Sequence, residues 1–230
     1  MPGAIPGVKG LYPRILNEQQ CRILPCLAAV ADNVLYLAGG TALALQLGHR
    51  FSVDFDWFAA TIGNQEELFK KLRQVCSDFQ ILSTCHETVH IQMQGVQVSF
   101  LGYDYPLLQP LVFWQEGNCH LADIQDIACM KLAAITGRGA RKDFIDLHRI
   151  ISDHYDLQAC FVLFKQKYRQ QDIGHVIRSL VYFEDAELEP DIIVHDNTSW
   201  HKVKSDFTKW VKGLPKGCLT AGEQIMSTRG

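Results

Sequence analysis

The chain has 230 residues, of which 47% are hydrophobic and 20% charged, with a formal net charge of −3 at pH 7. This size allows one large domain or two small ones, and the composition is that of an ordinary soluble globular protein. The small negative charge excludes a protein whose whole surface attracts nucleic acid, and no apolar run approaches the ~20 residues of a membrane span.

The termini and the cysteines give no sign of export. The first ten residues lack the apolar core of a signal peptide. The eight cysteines include no Cys-x-x-Cys pair and no zinc-finger spacing. We therefore expect buried thiols in a reduced, cytoplasmic protein that has no association with a membrane.

The first half of the chain alternates between helix and strand signals. Asn17 is a suitable N-cap for a helix to about residue 31, which Pro25 should interrupt. Gly95 should form a bulge or turn within the last strand segment. The further elements predicted are strands at 33–38, 53–58, 79–85 and 88–100, and helices at 41–47 and 64–76.

The second half has a helical pattern. Trp200, Val203, Phe207 and Trp210 recur at helical spacing, which favours a core stripe over a ligand site. The predicted helices are 123–136, 141–152, 156–169, 172–184 and 199–212. The predicted organisation is a core over 17–120, a helical half over 121–212, and irregular tails over 1–16 and 213–230.

Two aspartates lie one residue apart on the predicted strand 53–58. Asp54 and Asp56 alternate there with Val53, Phe55 and Trp57. Side chains two apart on a strand share a face, so the carboxylates should lie side by side, with their Cα atoms roughly 6–7 Å apart and the apolar side chains inward. Paired carboxylates suit divalent cations, which predicts a site for Mg²⁺ or Mn²⁺; the alternative is a solvated strand edge with two surface acids.

A Gly-Gly turn separates the first predicted strand from the helix that follows it. Gly39 and Gly40 end an apolar run, Thr41 is a suitable N-cap, and residues 42–47 are strong helix formers. Phosphate binds well at a helix N-terminus, where backbone N–H groups are unpaired and the dipole is positive. The turn therefore predicts a phosphate site close to the two aspartates.

Together these segments resemble the signature of the polymerase-β-like nucleotidyltransferases: a Gly-Gly or Gly-Ser turn, a helix, then Asp-x-Asp. The closer resemblance is to the AbiEii/AbiGii toxin family of bacterial nucleotidyltransferases, with its Gly-Gly-Thr-x-Leu, Gly-x-Arg and Ser-x-Asp-x-Asp-Phe blocks. The matching segments here are residues 39–43, 48–50 and 52–58.

The resemblance implies an α/β (α+β) fold, in which a polymerase-β-like core with a small mixed sheet is followed by a helical C-terminal half. It implies that Asp54 and Asp56 are catalytic and hold the metal. It also implies NTP contacts from the glycine turn and from the segment that follows the helix, at Gly39, Gly40, Thr41, Arg50 and Ser52.

A second match to the same family lies in the helical half. Lys131 is on one predicted helix, and residues 141–147 (Arg-Lys-Asp-Phe-Ile-Asp-Leu) open the next, after a glycine-rich break. The resemblance implies that Lys131 and Asp143 are catalytic. Lys131 suits a triphosphate, and Arg141 belongs to a basic cluster expected to contact NTP. The alternatives are a solvated lysine, a capping acid and plain surface charge.

The break between these two helices should let both side chains reach the cleft at the paired aspartates. Asp143 would then orient Lys131 or Arg141, or help to activate an acceptor hydroxyl. Asp146 lies one helical turn further on and could face the same way, or could pair instead with Arg149 or Arg50.

The sequence departs from the superfamily pattern at one position. A third metal carboxylate is expected on the strand over residues 95–101, and Ser99 stands there instead. Serine cannot supply a carboxylate's charge, so the missing acid is Asp104, Asp143 or Glu87, or the second metal site is weak, or the chain is inactive.

Residues 86–90 read His-Glu-Thr-Val-His, which matches the zinc-protease motif letter for letter. That chemistry needs both histidines on one face of a helix. Here the pattern predicts a strand, in which the two histidines would lie roughly 13 Å apart, so a zinc hydrolase is rejected.

The resulting expectation is a toxin-like nucleotidyltransferase that uses Mg²⁺ or Mn²⁺ and moves a nucleotidyl group from an NTP to an acceptor. The acceptor is an RNA such as tRNA, or a protein, and a cognate antitoxin is a possible partner. The alternative is a weak or inactive module of the same fold that binds a nucleotide or a partner.

Overall fold

The computed structural model describes residues 10–76 and 78–215. The chain divides into two compact units, Met1–Ile124 and Gln125–Gly230. The boundary predicted from the sequence lies between residues 120 and 121 and stays a prediction. Within the described residues, no helix is long and apolar enough to cross a membrane.

The N-terminal unit is built around a seven-stranded mixed sheet with strand order β3-β4-β5-β2-β1-β7-β6. Its strands are β1 (Tyr36–Ala38), β2 (Phe55–Ala59), β3 (Gln80–Cys85), β4 (Thr88–Met93), β5 (Val96–Gly102), β6 (Val112–Trp114) and β7 (Cys119–Leu121). Its helices are α1 (Glu18–Ala31), α2 (Gly39–Leu47) and α3 (Gln65–Val75), preceded by a 3₁₀ turn at Pro13–Ile15.

The central strands place apolar and polar side chains on opposite faces of the sheet. β2 runs parallel to β5, with Phe55 opposite Val98 and Trp57 opposite Phe100. All four of these side chains are almost completely buried. Because successive side chains of a strand alternate between faces, the intervening residue Asp56 lies on the other, partly exposed face.

Two helices of this unit begin at side-chain caps, and the sequence predicted the cap at Asn17. Asn17 accepts a hydrogen bond from the backbone N–H of Gln20, whose side chain accepts in turn from the N–H of Asn17, a complete capping box at the start of α1. Asn64 caps α3. The predicted break at Pro25 is wrong: α1 continues through this exposed residue to Ala31.

The regular elements of the C-terminal unit, among its described residues, are helices. They are α4 (Ile124–Arg138), α5 (Arg141–Asp153), α6 (Leu157–Tyr168), α7 (Gly174–Ser179), α8 (Glu184–Glu187) and α9 (Trp200–Lys212). In the predicted stripe of α9, Val203 and Phe207 are buried and Trp200 and Trp210 are partly exposed; Phe207 packs edge-on against Phe144 of α5 at 5.5 Å.

Three segments differ from the sequence prediction. The helix predicted over 172–184 is divided into α7 and α8, and β6 and β7 were not predicted. The predicted irregular arm over 1–16 ends in the 3₁₀ turn Pro13–Ile15, where Ile15 is buried, and the backbone N–H of Tyr12 donates to Leu45 O. Residues 1–9 and most of the predicted tail 213–230 lie outside the described residues.

Candidate active site

The turn between β1 and α2 places a backbone directly against a carboxylate. Gly39 has a φ of +66°, which glycine adopts at little cost. A Cβ atom at this position would come within 2.8 Å of Asp56 Oδ2. Only glycine suits both the backbone conformation and the contact, so the first residue of α2 and the Asp56 carboxylate lie together.

The second glycine of the turn lies against a buried arginine. A Cβ atom on Gly40 would come within 2.4 Å of Arg50 Nη2 and 3.4 Å of Ser52 Oγ. Arg50 is only 4% exposed, and its Nη1 donates to Phe51 O at 2.8 Å. The N-terminus of α2 therefore adjoins a fixed positive charge.

Thr41 is not the N-cap that the sequence predicted. α2 begins at Gly39, so Thr41 is its third residue, and Ala38 occupies the N-cap without a side-chain cap bond. The buried Thr41 hydroxyl donates to Asp54 O and lies 2.8 Å from Ser52 Oγ. Because a carbonyl can only accept, Ser52 is the donor of the second bond. Thr41 thus ties the segment before β2 to α2.

The two aspartates lie at the start of β2. Asp54 precedes the strand and Asp56 is its second residue, and both are partly exposed. The predicted burial of Phe55 and Trp57 is confirmed, but that of Val53 is wrong, because Val53 lies before the strand and is 61% exposed. In the described residues, no hydrogen bond or ion pair engages the Asp56 carboxylate.

Asp56 begins a row of polar side chains across three neighbouring strands. Asp56 of β2 is registered with Ser99 of β5, and Ser99 is registered with His90 of β4. His90 Nδ1 lies 3.1 Å from Ser99 Oγ. Serine therefore occupies the position directly beside Asp56, where the sequence pattern led us to look for a third carboxylate.

The acids considered as replacements for that carboxylate have other surroundings. Glu87 accepts hydrogen bonds from the backbone N–H of Ile62 and from Thr61 Oγ1, and the Ile62 N–H contributes most to lowering the pKa of Glu87. Asp104 is exposed and lies beyond the end of β5. Asp143 belongs to the C-terminal unit and is ion-paired there.

Residues 86–90, which match the zinc-protease motif, do not lie on a helix. His86 and Glu87 form the turn between β3 and β4, where Glu87 has a φ of +56°. Thr88, Val89 and His90 belong to β4. The predicted strand is confirmed, so the motif lacks the helical geometry that a zinc protease needs.

The residues at the start of β2 fit a magnesium ion that is shared with a substrate. Across the described ranges, no group of three or more His, Cys, Asp or Glu side chains is arranged to hold a metal. Mg²⁺ commonly takes only one or two protein carboxylates and completes its shell with phosphate oxygens and water. Asp56 supplies a carboxylate next to the N-terminus of α2, a position that favours phosphate, and Asp54 lies two residues before it.

The C-terminal unit contains the predicted Lys131 and Asp143 in one buried ion-pair network. Lys131 Nζ lies 2.8 Å from Asp143 Oδ1 and 2.6 Å from Asp146 Oδ2, and Arg138 Nε donates to Asp143 Oδ2 at 2.8 Å. Burial by itself would raise the pKa of Asp143, but Lys131 and Arg138 outweigh it and hold that pKa below its usual range. Both carboxylates are fully buried.

This network gives the ion-pair partners of its members. Asp143 and Asp146 both pair with Lys131, and the carboxylates that pair with Arg149 are Asp153 and Asp196. Neither Lys131 nor Asp143 is a surface charge. The Asp143 side chain bonds to Lys131 and Arg138 and does not cap α5.

The Arg141 side chain has structural partners in its own unit. Its guanidinium donates to Ala186 O and Asp191 Oδ1 and lies 5.2 Å from the centre of the Trp200 ring. The side chain is 6% exposed. These contacts give Arg141 a structural role within the C-terminal unit, and the NTP contact expected from the sequence stays a prediction.

A second buried ion pair in the C-terminal unit was not identified from the sequence. Lys167 Nζ lies 2.6 Å from Asp126 Oδ1, and both side chains are fully buried. Two thiols in the same unit, Cys129 and Cys160, are buried as well, which raises the pKa of each to about 12. Asp126 and Lys167 are 41 residues apart in the chain, and no local sequence pattern connects them.

Comparison with known proteins agrees with this architecture. The model of the family described as "Nucleotidyl transferase AbiEii toxin, Type IV TA system" matches residues 22–100 and 96–211. An uncharacterized protein of Aquifex aeolicus (strain VF5) is 40% identical over 204 residues, which cover 86% of this chain and 97% of that protein. The chain belongs to the AbiEii nucleotidyltransferase toxin family.

Solved structures show the same fold at low sequence identity. MenT4, a nucleotidyltransferase toxin from Mycobacterium tuberculosis H37Rv, superposes with a TM-score of 0.56 and 17% identity, covering 90% of this chain and 85% of that one. JHP933 from Helicobacter pylori gives a TM-score of 0.56 and 19% identity, covering 95% and 97%. The predicted α/β nucleotidyltransferase fold is confirmed.

Proposed function

We propose that this chain transfers a nucleotidyl group from an NTP to an acceptor in a reaction that uses Mg²⁺ or Mn²⁺. The observation that carries the proposal is the contact between the Gly39 backbone and the Asp56 carboxylate. It puts the N-terminus of α2, which would bind phosphate, against one carboxylate of the proposed metal pair. A nucleotidyl donor needs both, because its triphosphate must be held and its charge neutralised.

The phosphate-binding part consists of the start of α2 and the segment that follows the helix. The backbone N–H groups at Gly39 and Gly40 are the donors best placed for phosphate oxygens. Arg50 adds a fixed positive charge beside Gly40. Thr41 and Ser52 use their hydroxyls to bind each other, so their contribution is to hold this cradle in shape.

Asp54 and Asp56 are the proposed metal ligands. When bound, Mg²⁺ or Mn²⁺ would offset negative charge on the phosphates and on the leaving pyrophosphate. The protein's own part is to fix both carboxylates at the start of β2: Asp54 through the Thr41 bond to its carbonyl, and Asp56 through the β-sheet register.

We also propose that Lys131 and Asp143 serve the reaction, as the family resemblance implies. A lysine ammonium fixed by two carboxylates is a well-oriented point charge, and the structure shows Lys131 fixed in this way by Asp143 and Asp146. Asp143 then acts as a positioning residue through Lys131.

The proposed acceptor is an RNA such as tRNA, or a protein, and the family's description as a toxin of a type IV system favours a cognate antitoxin as a partner. Ser99 beside Asp56 favours a second candidate, a weak or inactive module that binds nucleotide without transfer. That candidate predicts NTP binding without pyrophosphate release.

The test is to incubate the protein with each NTP, labelled at the α-phosphate, with Mg²⁺ and with total RNA or a protein extract. Label in the RNA or in the protein fraction supports transfer and identifies the acceptor class. NTP binding measured by equilibrium dialysis, with no label transferred and no pyrophosphate released, would favour the inactive module instead.

A further inference from the structure

The row of side chains across β2, β5 and β4 contains a hydroxyl–imidazole pair next to the proposed metal site. Ser99 is registered with Asp56 on one side and with His90 on the other. Paired residues of neighbouring strands share a face, and adjacent strands lie about 4.8 Å apart. His90 Nδ1 is 3.1 Å from Ser99 Oγ, and both side chains are partly exposed on the face that carries Asp56.

This inference rests on the proposed function, which requires a proton acceptor. An acceptor hydroxyl attacking the α-phosphorus of an NTP must lose its proton, and a positioned base accelerates that step. Asp54 and Asp56 are the proposed metal ligands. Among the described residues, Ser99 and His90 continue the row beyond Asp56. Glu87 is the acid nearest to His90 in the sequence, and its carboxylate accepts a hydrogen bond from the backbone N–H of Ile62.

We propose that Ser99 and His90 form a proton relay that replaces the missing third carboxylate. Ser99 Oγ donates its hydrogen bond to His90 Nδ1, which requires the imidazole tautomer with its proton on Nε2. The lone pairs of Ser99 Oγ are then free to accept from the acceptor's hydroxyl. A hydroxyl bonded in this way to an imidazole is a much better proton acceptor than an isolated one.

The step balances without another reactant. The acceptor oxygen forms a bond to the α-phosphorus while the bond from that phosphorus to the pyrophosphate oxygen breaks. The acceptor's proton passes to Ser99 Oγ, and the Ser99 proton passes to His90 Nδ1. The resulting imidazolium lies two strands from Asp56, whose negative charge favours it, and it releases its proton to water after pyrophosphate leaves.

The experiment compares His90→Gln, Ser99→Ala, Ser99→Asp and the double variant His90→Gln/Ser99→Asp with the unmodified protein. The readouts are the single-turnover transfer rate at saturating NTP and acceptor, and the dissociation constant of the NTP. The matched control is His120→Gln. His120 is a partly buried strand histidine of the same unit, and it packs on Phe113.

The relay predicts that His90→Gln and Ser99→Ala each lower the single-turnover rate by roughly 10²-fold or more, with NTP affinity unchanged. Ser99→Asp supplies a carboxylate as the base, so it should restore most of the rate in the His90→Gln background. A merely structural Ser–His bond predicts no such rescue, because the double variant still lacks that bond.

Two results would overturn the relay. One is a His90→Gln rate within about two-fold of the unmodified protein under conditions where Asp56→Asn is inactive. The other is a loss in His90→Gln that Ser99→Asp does not relieve, although both variants melt at the unmodified temperature. Absence of transfer by the unmodified protein with every acceptor would instead reject the proposed function, and the relay with it.

Discussion

Gly39 and Asp56 are in direct contact: a methyl group on Gly39 would come within 2.8 Å of Asp56 Oδ2 and 3.5 Å of its Cβ. Asp56 is also registered with Ala38, the residue before Gly39, across the antiparallel pair of β1 and β2. The turn and the carboxylate are therefore parts of one rigid arrangement, and a change in either should alter the other.

Gly39→Ala should impair the site more than it impairs the fold. Alanine at a φ of +66° costs roughly 1–2 kcal/mol of stability, and its methyl group must displace the Asp56 carboxylate. We expect a partly destabilised protein that has lost nearly all transfer activity. Chemical denaturation and a transfer assay with labelled NTP measure the two effects.

Gly63→Ala is the matched control for that variant. Gly63 has a φ of +62°, but a Cβ atom there would meet nothing within 4 Å. It should show the same conformational cost of roughly 1–2 kcal/mol and keep its activity. Equal losses of activity in the two variants would mean that the contact with Asp56 has no functional part.

Lys131→Met should destabilise the protein strongly. It leaves Asp143 and Asp146 as fully buried carboxylates without their shared cation. Removing one partner of a buried pair typically costs about 3–5 kcal/mol of unfolding free energy. Lys71→Met is the control, because Lys71 is half-exposed and its contact with Asp32 is long, at 3.9 Å, so its loss should cost under about 1 kcal/mol.

Asp143 should make stability depend on pH in the acid range. Its pKa in the folded protein is lowered by Lys131 and Arg138 against the effect of burial. A lowered folded pKa stabilises the protein above the unfolded value, about 3.9 for Asp, and this stabilisation is lost as pH falls through the folded pKa. The free energy of unfolding of the Asp143→Asn variant should therefore fall less steeply than that of the unmodified protein as the pH is lowered below about 5.

The Asp126–Lys167 pair should show strong coupling in a double-mutant cycle. Both side chains are fully buried and lie 2.6 Å apart. Asp126→Leu or Lys167→Met alone removes the ion-pair partner of a fully buried charge, which costs about 3–5 kcal/mol. The double variant should be substantially more stable than either single one. Additive losses, measured by urea denaturation, would contradict the buried-charge explanation.

The arrangement around Asp56 could be predicted from the sequence because its signals are local. Alternation with Phe55 and Trp57 gave the correct face of the strand, and two adjacent glycines gave the turn. The same reasoning failed at Val53 and Thr41, since it placed the start of the strand too early and the start of the helix too late. The bond from Thr41 to the Asp54 carbonyl depends on that exact path of the chain.

The features that the sequence did not show are non-local or short. β6 and β7 have three residues each, and β7 is defined by its parallel pairing with β1, far away in the chain. The Ser99–His90 contact depends on the register of β4 and β5. The ion pair of Lys131 with Asp143 could be predicted, because the two helices are consecutive and the glycine break allows the chain to reverse.

The most direct test of the central claim is transfer of label from an α-labelled NTP by Asp56→Asn, with Asp104→Asn as the matched control. Asp104 is an exposed aspartate of the same unit and lies outside the proposed site. We expect Asp56→Asn to keep its fold and its melting temperature within a few degrees, and to transfer no label, whereas Asp104→Asn transfers label like the unmodified protein. Transfer at the unmodified rate by a folded Asp56→Asn protein would contradict the account.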